Sequence, residues 1–170
     1  FQEAVRDFAV SEVAPKAMAM DQAQQMDPGL VDQLFELGLM GIEIPEAHGG
    51  TGADFFTSVL VVEELSKADP AIGVLVDVQN TLVVNALRRW GSEDQQARFY
   101  PKLASDTVGA YALSEAGSGS DAFALTCRAT QDGDDWLLNG QKMWITNGAE
   151  AGLFIVFATI DRDAGYKGIT

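Results

Sequence analysis

The feature that most limits what this chain can become is a change of hydrophobic period near residue 105. Up to about residue 103, apolar residues return every three or four positions, the spacing of one helix face. Beyond 108 they alternate or gather in short runs divided by turn residues, the spacing of strands. A chain built in that order is expected to form two successive bodies, an all-helical one over 1–107 and an antiparallel β-barrel-like one over 108–170.

Helix punctuation supports the first body. Val5, Phe8, Ala9 and Val13 share a face, and Pro15 is expected to kink or end that helix. Asp27-Pro28 is a cap followed by proline at the first helical position; Leu30, Leu34 and Leu37 follow, and Gly38 closes the helix. The run 45–52 (PEAHGGTG) is a loop, and a helix from Phe55 ends at Asp69-Pro70. Residues 71–89 are apolar almost all round, which predicts a helix buried between other elements. Ser92 and Gln95 form a capping box for a short helix ending before Pro101.

In the second body, strands are expected over 108–113, 125–130, 136–138, 143–146 and 153–160. Asp132-Gly133-Asp134-Asp135 and Asn139-Gly140 serve as hairpin turns between them, the latter with a type I′ signal. No internal repeat or low-complexity tract interrupts either half.

Charge and cysteine content exclude several functions. With 25 Asp and Glu against 11 Lys and Arg, a net charge of −14, the chain lacks the basic surface that nonspecific nucleic-acid binding needs. Anionic cofactors remain open, because backbone amides and one or two local cations can hold a pyrophosphate in an acidic protein. Cys127 alone makes no intrachain disulfide, and with His48 it gives no zinc ligand set, so a reducing compartment and no metal are expected. No apolar run approaches the ~18 residues of a membrane span. The reading is a soluble intracellular protein, in the mitochondrial matrix if eukaryotic and the cytoplasm if bacterial. The chain opens at Phe1 inside a helical pattern, which leaves room for a leader before it.

Chemistry concentrates in YALSEAGSGSD, Tyr111 to Asp121, where small and hydroxyl residues follow a strand directly. Such a loop lets backbone amides approach a phosphate or a flavin edge, although an ordinary polar turn has the same composition. Gly117 to Ala122 also satisfies G-x-G-x-x-A. A dinucleotide fold requires that loop to open a helix in a parallel βαβ unit, whereas strand and hairpin follow here, and no Gly-Lys-Ser/Thr follows to make a P-loop.

ALSEAGSGSDAFA at 112–124 and NGQKMWITN at 139–147 resemble two motifs of the acyl-CoA dehydrogenases at the spacing that family uses. LGLMGIEIPEAHGGTGA, VEELSKADP and GAYALSE are similar to its N-terminal and middle domains, so the resemblance covers the whole chain. It implies an all-α N-terminal domain, a β-barrel-like middle domain and a C-terminal four-helix bundle, the last absent from these 170 residues. The implied cofactor is FAD. Its implied contacts are Tyr111, Ala112, Leu113, Ser114, Glu115, Ala116, Gly117, Ser118, Gly119 and Ser120 along the flavin, with Trp144, Ile145 and Thr146 as the wall of its other face.

By the same resemblance Ser114 bonds the flavin ring, Thr146 donates near its N5 atom, and Ser120 reaches both the pyrophosphate and the thioester ligand. Tyr166 resembles a coenzyme A contact of short/branched-chain members, or is an exposed loop tyrosine; Lys167 meets a CoA phosphate or is solvated. Trp144 has the alternative of a barrel core residue. Glu115 is expected to be structural, and the catalytic glutamate is expected beyond Thr170, so no residue here is assigned as the base. His48 departs from the family, which more often carries an aromatic there, and is expected to be solvated. Glu63 and Glu64 point about 100° apart on a helix and form no shared site.

The implied reaction is α,β-dehydrogenation of an acyl-CoA, with electrons passed to electron-transfer flavoprotein and a homotetramer as the full-length assembly. DVQNTL at 77–82 and AGLF from 151 with GYKGIT from 165 most resemble the short/branched-chain subfamily, which implies short or branched acyl groups. The competing readings are another chain-length class, a related flavin oxidase, and a non-catalytic interaction module of the same fold. Residues 1–170 alone are expected to be inactive and to hold FAD poorly.

Overall fold

A computed structural model describes all of residues 1–170. Seven helices come first: α1 Gln2–Phe8, α2 Ala14–Ala23, α3 Pro28–Glu36, α4 Phe55–Ala68, α5 Pro70–Asp77, α6 Asn85–Trp90 and α7 Glu93–Ser105. Two π-helical segments, Ala9–Val13 and Val78–Val84, join α1 to α2 and α5 to α6 without a break. The strands β1 Gly109–Ala112, β2 Arg128–Asp132, β3 Asp135–Asn139 and β4 Leu153–Val156 follow.

The expected caps form. Asp27 accepts from the Gly29 amide at 2.8 Å, and Ser92 and Gln95 exchange both bonds of a capping box at 3.2 and 2.9 Å. At the end of α3 the Gly38 and Leu39 amides donate back to Phe35 and Leu34, each at 2.9 Å, with Gly38 at φ 71. That is a Schellman motif, whose left-handed residue suits glycine.

Neither proline acts as the sequence predicts. Pro15 does not end the first helix; the π segment, closed by the Ala14 amide on the Ala9 carbonyl, lies just before it, and the helix continues through it as α2. Pro101 lies inside α7 rather than beyond it. Ala97, whose carbonyl loses its partner, is exposed like Pro101, so water can serve that group, while buried Tyr100, Leu103 and Ala104 hold the helix in place.

One core gathers Leu30 and Leu34 of α3, Val61 and Leu65 of α4, Ile72 and Val76 of α5, and the turn residues Leu39, Met40 and Ile42. A second packs α7, through Tyr100 and Leu103, on Val78, Val83 and Val84. Each such aliphatic side chain contributes about 2 kcal/mol. The α5–α6 run is not buried all round as its composition predicts, because Val74 is 44% and Leu82 37% exposed. The 21 residues Pro70–Trp90 are also long and apolar enough by length and composition to cross a membrane, which corrects the expectation that no run comes close. Their buried side chains pack in the two protein cores, the behaviour of a core helix.

Two neighbouring polar residues of the second π segment are buried, and both are satisfied. Asn80 donates to the carbonyls of Leu39 and Val76 and accepts from the Ile42 amide, at 2.8, 3.0 and 2.9 Å. Gln79 donates to Leu103 and Thr107 and accepts from the Gly109 amide at 2.6 Å, tying the helices to the first strand.

The strand half corrects the expected barrel and its antiparallel order. No closed barrel forms; there are two two-stranded sheets, and β1 pairs with β4 in parallel, Gly109 opposite Leu153. Only β2 and β3 make an antiparallel hairpin, turned at Gly133 with φ 63, the first central position where a type II′ turn needs glycine. The strand expected over 125–130 begins at Arg128, and that over 153–160 stops at Val156, with Thr159 making single bridges to Arg128 and Ile169. Residues 143–146 are not a strand, since Trp144 at φ 58 and Asn147 at φ 63 leave the extended region. Asn139-Gly140 makes no I′ turn. Gly140 keeps an ordinary φ, and a Cβ there would stand 2.6 Å from Cys127 Cα, so close backbone approach is what requires glycine.

Candidate functional site

β1 delivers the chain into the loop 113–121, and Glu115 fixes that loop from inside. Its carboxylate accepts from Lys142 Nζ at 2.7 Å, from the Thr126 amide and hydroxyl at 2.6 and 2.7 Å, and from the Cys127 amide at 2.9 Å. Burial alone would raise this carboxyl; the hydrogen bonds from Lys142, Thr126 and Cys127 overturn that and bring it down to about 2. A carboxylate ionised at neutral pH and engaged by four donors is a structural clamp. Lys142 also donates to the Leu113 carbonyl at 3.0 Å, and the Met143 amide to the Ser114 carbonyl at 3.0 Å. The two motifs, 112–124 and 139–147, are therefore joined side by side.

Within the loop, the Glu115 and Ser118 amides each donate to the other residue's carbonyl, at 2.9 and 3.1 Å. The amides of Gly117, Gly119 and Ser120, all exposed residues, donate to no carbonyl of the chain. Gly117 and Gly119 have ordinary φ values, and a Cβ at either would meet nothing within 4 Å. The chain's own fold thus gives no reason for glycine there. Close approach of an outside group would give one, and exposed amides without a partner suit a phosphate or a flavin edge.

The residues singled out in the sequence fall into three sets. Ala112, Glu115 and Ser118 are buried supports, and Tyr111, Leu113 and Ser114 are half-buried, Tyr111 packing on Phe157 at 4.9 Å between ring centroids. Ala116, Gly117, Gly119 and Ser120 are exposed. In the second motif Ile145 and Thr146 are half-buried, while Trp144 is 87% exposed. Trp144 is therefore not a core residue of this chain. It combines a left-handed backbone, uncommon outside glycine and asparagine, with an uncovered indole. Tyr166 is exposed and lies against Phe123, three residues after Ser120, with the rings tilted and their centroids 5.8 Å apart, and Lys167 Nζ is 6.0 Å from its ring.

Two anchors escaped the sequence reading. Lys142 is one; a lysine ahead of Met143 and Trp144 is the signal that could have flagged it. Asn147 is the other, 8% exposed, donating to the carbonyls of Leu75 and Gly109 at 3.3 and 3.1 Å. Elsewhere, His48 is half-buried against Tyr100, 5.6 Å between rings, rather than simply solvated. Glu63 and Glu64 do diverge, but Lys67 bridges them at 3.0 and 3.1 Å. Among groups of His, Cys, Asp and Glu, none could hold a metal ion.

Residues 1–107 match the family model "Acyl-CoA dehydrogenase, N-terminal domain" and residues 110–170 match "Acyl-CoA dehydrogenase, middle domain". The chain is 50% identical over 170 residues to a probable short/branched chain specific acyl-CoA dehydrogenase of Dictyostelium discoideum, covering 99% of this chain and 41% of that protein. It is 46% identical over 169 residues to the mitochondrial short/branched chain specific acyl-CoA dehydrogenase of Rattus norvegicus, covering 99% and 39%. The butyryl-CoA dehydrogenase structure from Megasphaera elsdenii superposes with a TM-score of 0.93 at 34% identity, covering 99% of this chain and 45% of that one. The chain spans about two fifths of the length of the curated relatives it matches. With both domain models matched along its length and the two motifs clamped together by Glu115 and Lys142, this chain belongs to the acyl-CoA dehydrogenase family.

Proposed function

We propose that these residues form the flavin-facing and thioester-facing part of an FAD-dependent enzyme that introduces an α,β double bond into a short or branched acyl-CoA. The observation that carries the reading is the pair Gly117 and Gly119, which the fold does not need, beside an uncovered Trp144 in a left-handed conformation. The residues present fit FAD: exposed amides without a partner and the Ser120 hydroxyl for its pyrophosphate, Ser114 and Thr146 for the ring edge, Trp144 for a ring face. In that reading FAD supplies the acceptor for the hydride leaving the β-carbon.

The chain's own part is to bind, orient and shield. Trp144 excludes water from one flavin face, and Ser120 with Tyr166 holds the thioester's carrier. The proton leaving the α-carbon goes to a carboxylate that we place outside residues 1–170. Support comes from the buried carboxylates here, all already paired: Glu43 with Arg88 at 2.6 Å, Glu64 with Arg6 at 2.9 Å and Glu115 with Lys142 at 2.7 Å. Exposed Val74, next in the chain to the Leu75 whose carbonyl holds Asn147, offers a branched side chain near the turn that carries Trp144, which favours short or branched acyl groups by about 1–3 kcal/mol per methylene refused. Electron-transfer flavoprotein as the acceptor and a homotetramer as the assembly rest on resemblance to the family.

The full-length protein decides between enzyme and interaction module. It is expected to purify with a flavin absorption spectrum and to turn over 2-methylbutyryl-CoA or butyryl-CoA with an artificial electron acceptor. A colourless protein that takes up no added FAD overturns the reading. Ser120→Ala is expected to weaken both FAD and acyl-CoA binding by about 1–2 kcal/mol, one bond to a charged acceptor.

A further inference from the structure

The turn that carries Trp144 hangs between two anchors of different kinds. At its start, Met143 and Lys142 tie it to the 113–115 loop through backbone bonds and an ion pair. At its end stands Asn147, buried, at φ 63, a conformation asparagine tolerates better than other branched or long side chains. Its backbone carbonyl accepts from the Glu150 and Ala151 amides at 3.1 and 2.8 Å, closing the next turn. Its side-chain NH2 uses both protons, one for the Leu75 carbonyl of α5 and one for the Gly109 carbonyl of β1. No other side chain bonds the turn to both halves of the molecule. Since the Trp144 indole has almost no packing of its own, the anchors, not the indole, decide where it stands.

We propose that Asn147 is a positioning residue for the flavin wall: it sets the placement of Trp144, Ile145 and Thr146 and ties it to α5, whose exposed Val74 adjoins the anchored Leu75. The proposal rests on the reading that this chain binds FAD. Loss of the side-chain amide frees the wall to shift while the cores of both halves remain, because neither core includes residue 147. The acyl side and the flavin side are then no longer held in register.

The test uses the full-length protein and three variants. Asn147→Asp keeps size and shape but offers an acceptor to two carbonyls; Asn147→Gly keeps the left-handed backbone and removes the side chain. Glu64→Gln, which loosens the Arg6 and Lys67 cluster and whose side chain bonds nothing in the turn, is the stability control. Three readouts are taken: FAD dissociation constant, position of the bound flavin's visible absorption bands, and amide hydrogen exchange of 143–147 in FAD-free protein. Both Asn147 variants are expected to lose tenfold or more in FAD affinity, to shift the bands, and to speed exchange of the turn at least tenfold. Glu64→Gln is expected to lower the melting temperature without moving any of the three.

FAD affinity within twofold of wild type, unshifted bands or unchanged exchange in Asn147→Asp overturns the positioning role. So does an equal change in Glu64→Gln, which would make the effect one of general stability. Wild-type protein that takes up no FAD overturns the functional reading and the positioning role with it; uptake that is equal in wild type and variants overturns the positioning role alone.

Discussion

The helical half and the strand half keep their shape by different means. Residues 1–107 hold cores of fifteen and seven buried apolar residues, the larger completed by Val108. The strand half has a cluster of only three, Cys127, Ala129 and Ala158, and its hairpin leaves Trp136, Leu137 and Leu138 exposed. What holds the strand half where the site forms is polar: the Glu115 carboxylate with its four donors, and Asn147 reaching to the helices. A hydrophobic core fixes a fold without fixing single atoms, whereas directional bonds fix individual backbone groups, which is what a surface facing a cofactor requires.

Truncating the helical core is the largest expected effect. Leu65→Ala should cost about 3–4 kcal/mol in urea unfolding monitored by circular dichroism, the cost of a cavity at a fully buried leucine. A loss under 1 kcal/mol would mean that the helical half does not depend on its core as described.

Next comes the clamp. Glu115→Gln leaves Lys142, its side chain only 11% exposed, without its ion pair and should cost roughly 3 kcal/mol. The same carboxylate gives a pH signature. Its folded value of about 2 lies below the ordinary 4.5, so its stabilisation is complete above pH 4.5 and is lost as pH falls from there through 2. Glu64, held down to about 2 by its bonds to Arg6, Lys67 and Gln2 against the opposing effect of burial, adds in the same window. Melting temperatures between pH 5 and 2 should fall steeply for the wild type and less steeply for Glu115→Gln; parallel curves would remove Glu115 from the account.

Asn80→Ala sharpens the comparison from the other side, since it tests polar bonds inside the helical half. It strands the Ile42 amide and the Leu39 carbonyl and should cost about 2 kcal/mol, read from the denaturation midpoint. Leu138→Ala, on the exposed hairpin, should change stability by under ~0.5 kcal/mol. A loss above 2 kcal/mol there would show that the hairpin is covered in solution and that the contrast between the halves is overstated.

The contrast also explains what the sequence revealed. Helix ends were legible because caps are local: Asp27 acts two residues away and Ser92 three. The two π segments were not, because nothing in VQNTLVV marks a widened turn; the polar bonds of Gln79 and Asn80 to residues 24 to 41 positions distant accompany it. Residues 143–146 have the composition of a strand, and tertiary bonds overrode that preference. Pairing direction was lost for the same reason, since β1 meets β4 with partners 44 positions apart in the chain and no turn signal for it between them. The candidate site residues were found through motif resemblance, not periodicity. Lys142 acts across 29 positions and Asn147 across 72, so neither announces its role locally.

The widened segment Val78–Val84 has a further consequence, for the phase of the helix rather than its stability. Each residue of an α-helix advances side chains by about 100°. A segment bonded from i to i+5 holds one residue more than an α-helical turn would, so α6 leaves it rotated relative to the continuation of α5. Deleting one residue there, which would let the segment close as ordinary α-helix, turns α6 by about one residue's step and carries Arg88 away from Glu43, now 2.6 Å distant. The segment is a fixed phase offset, and the direction in which α6 presents Arg88 is set by it.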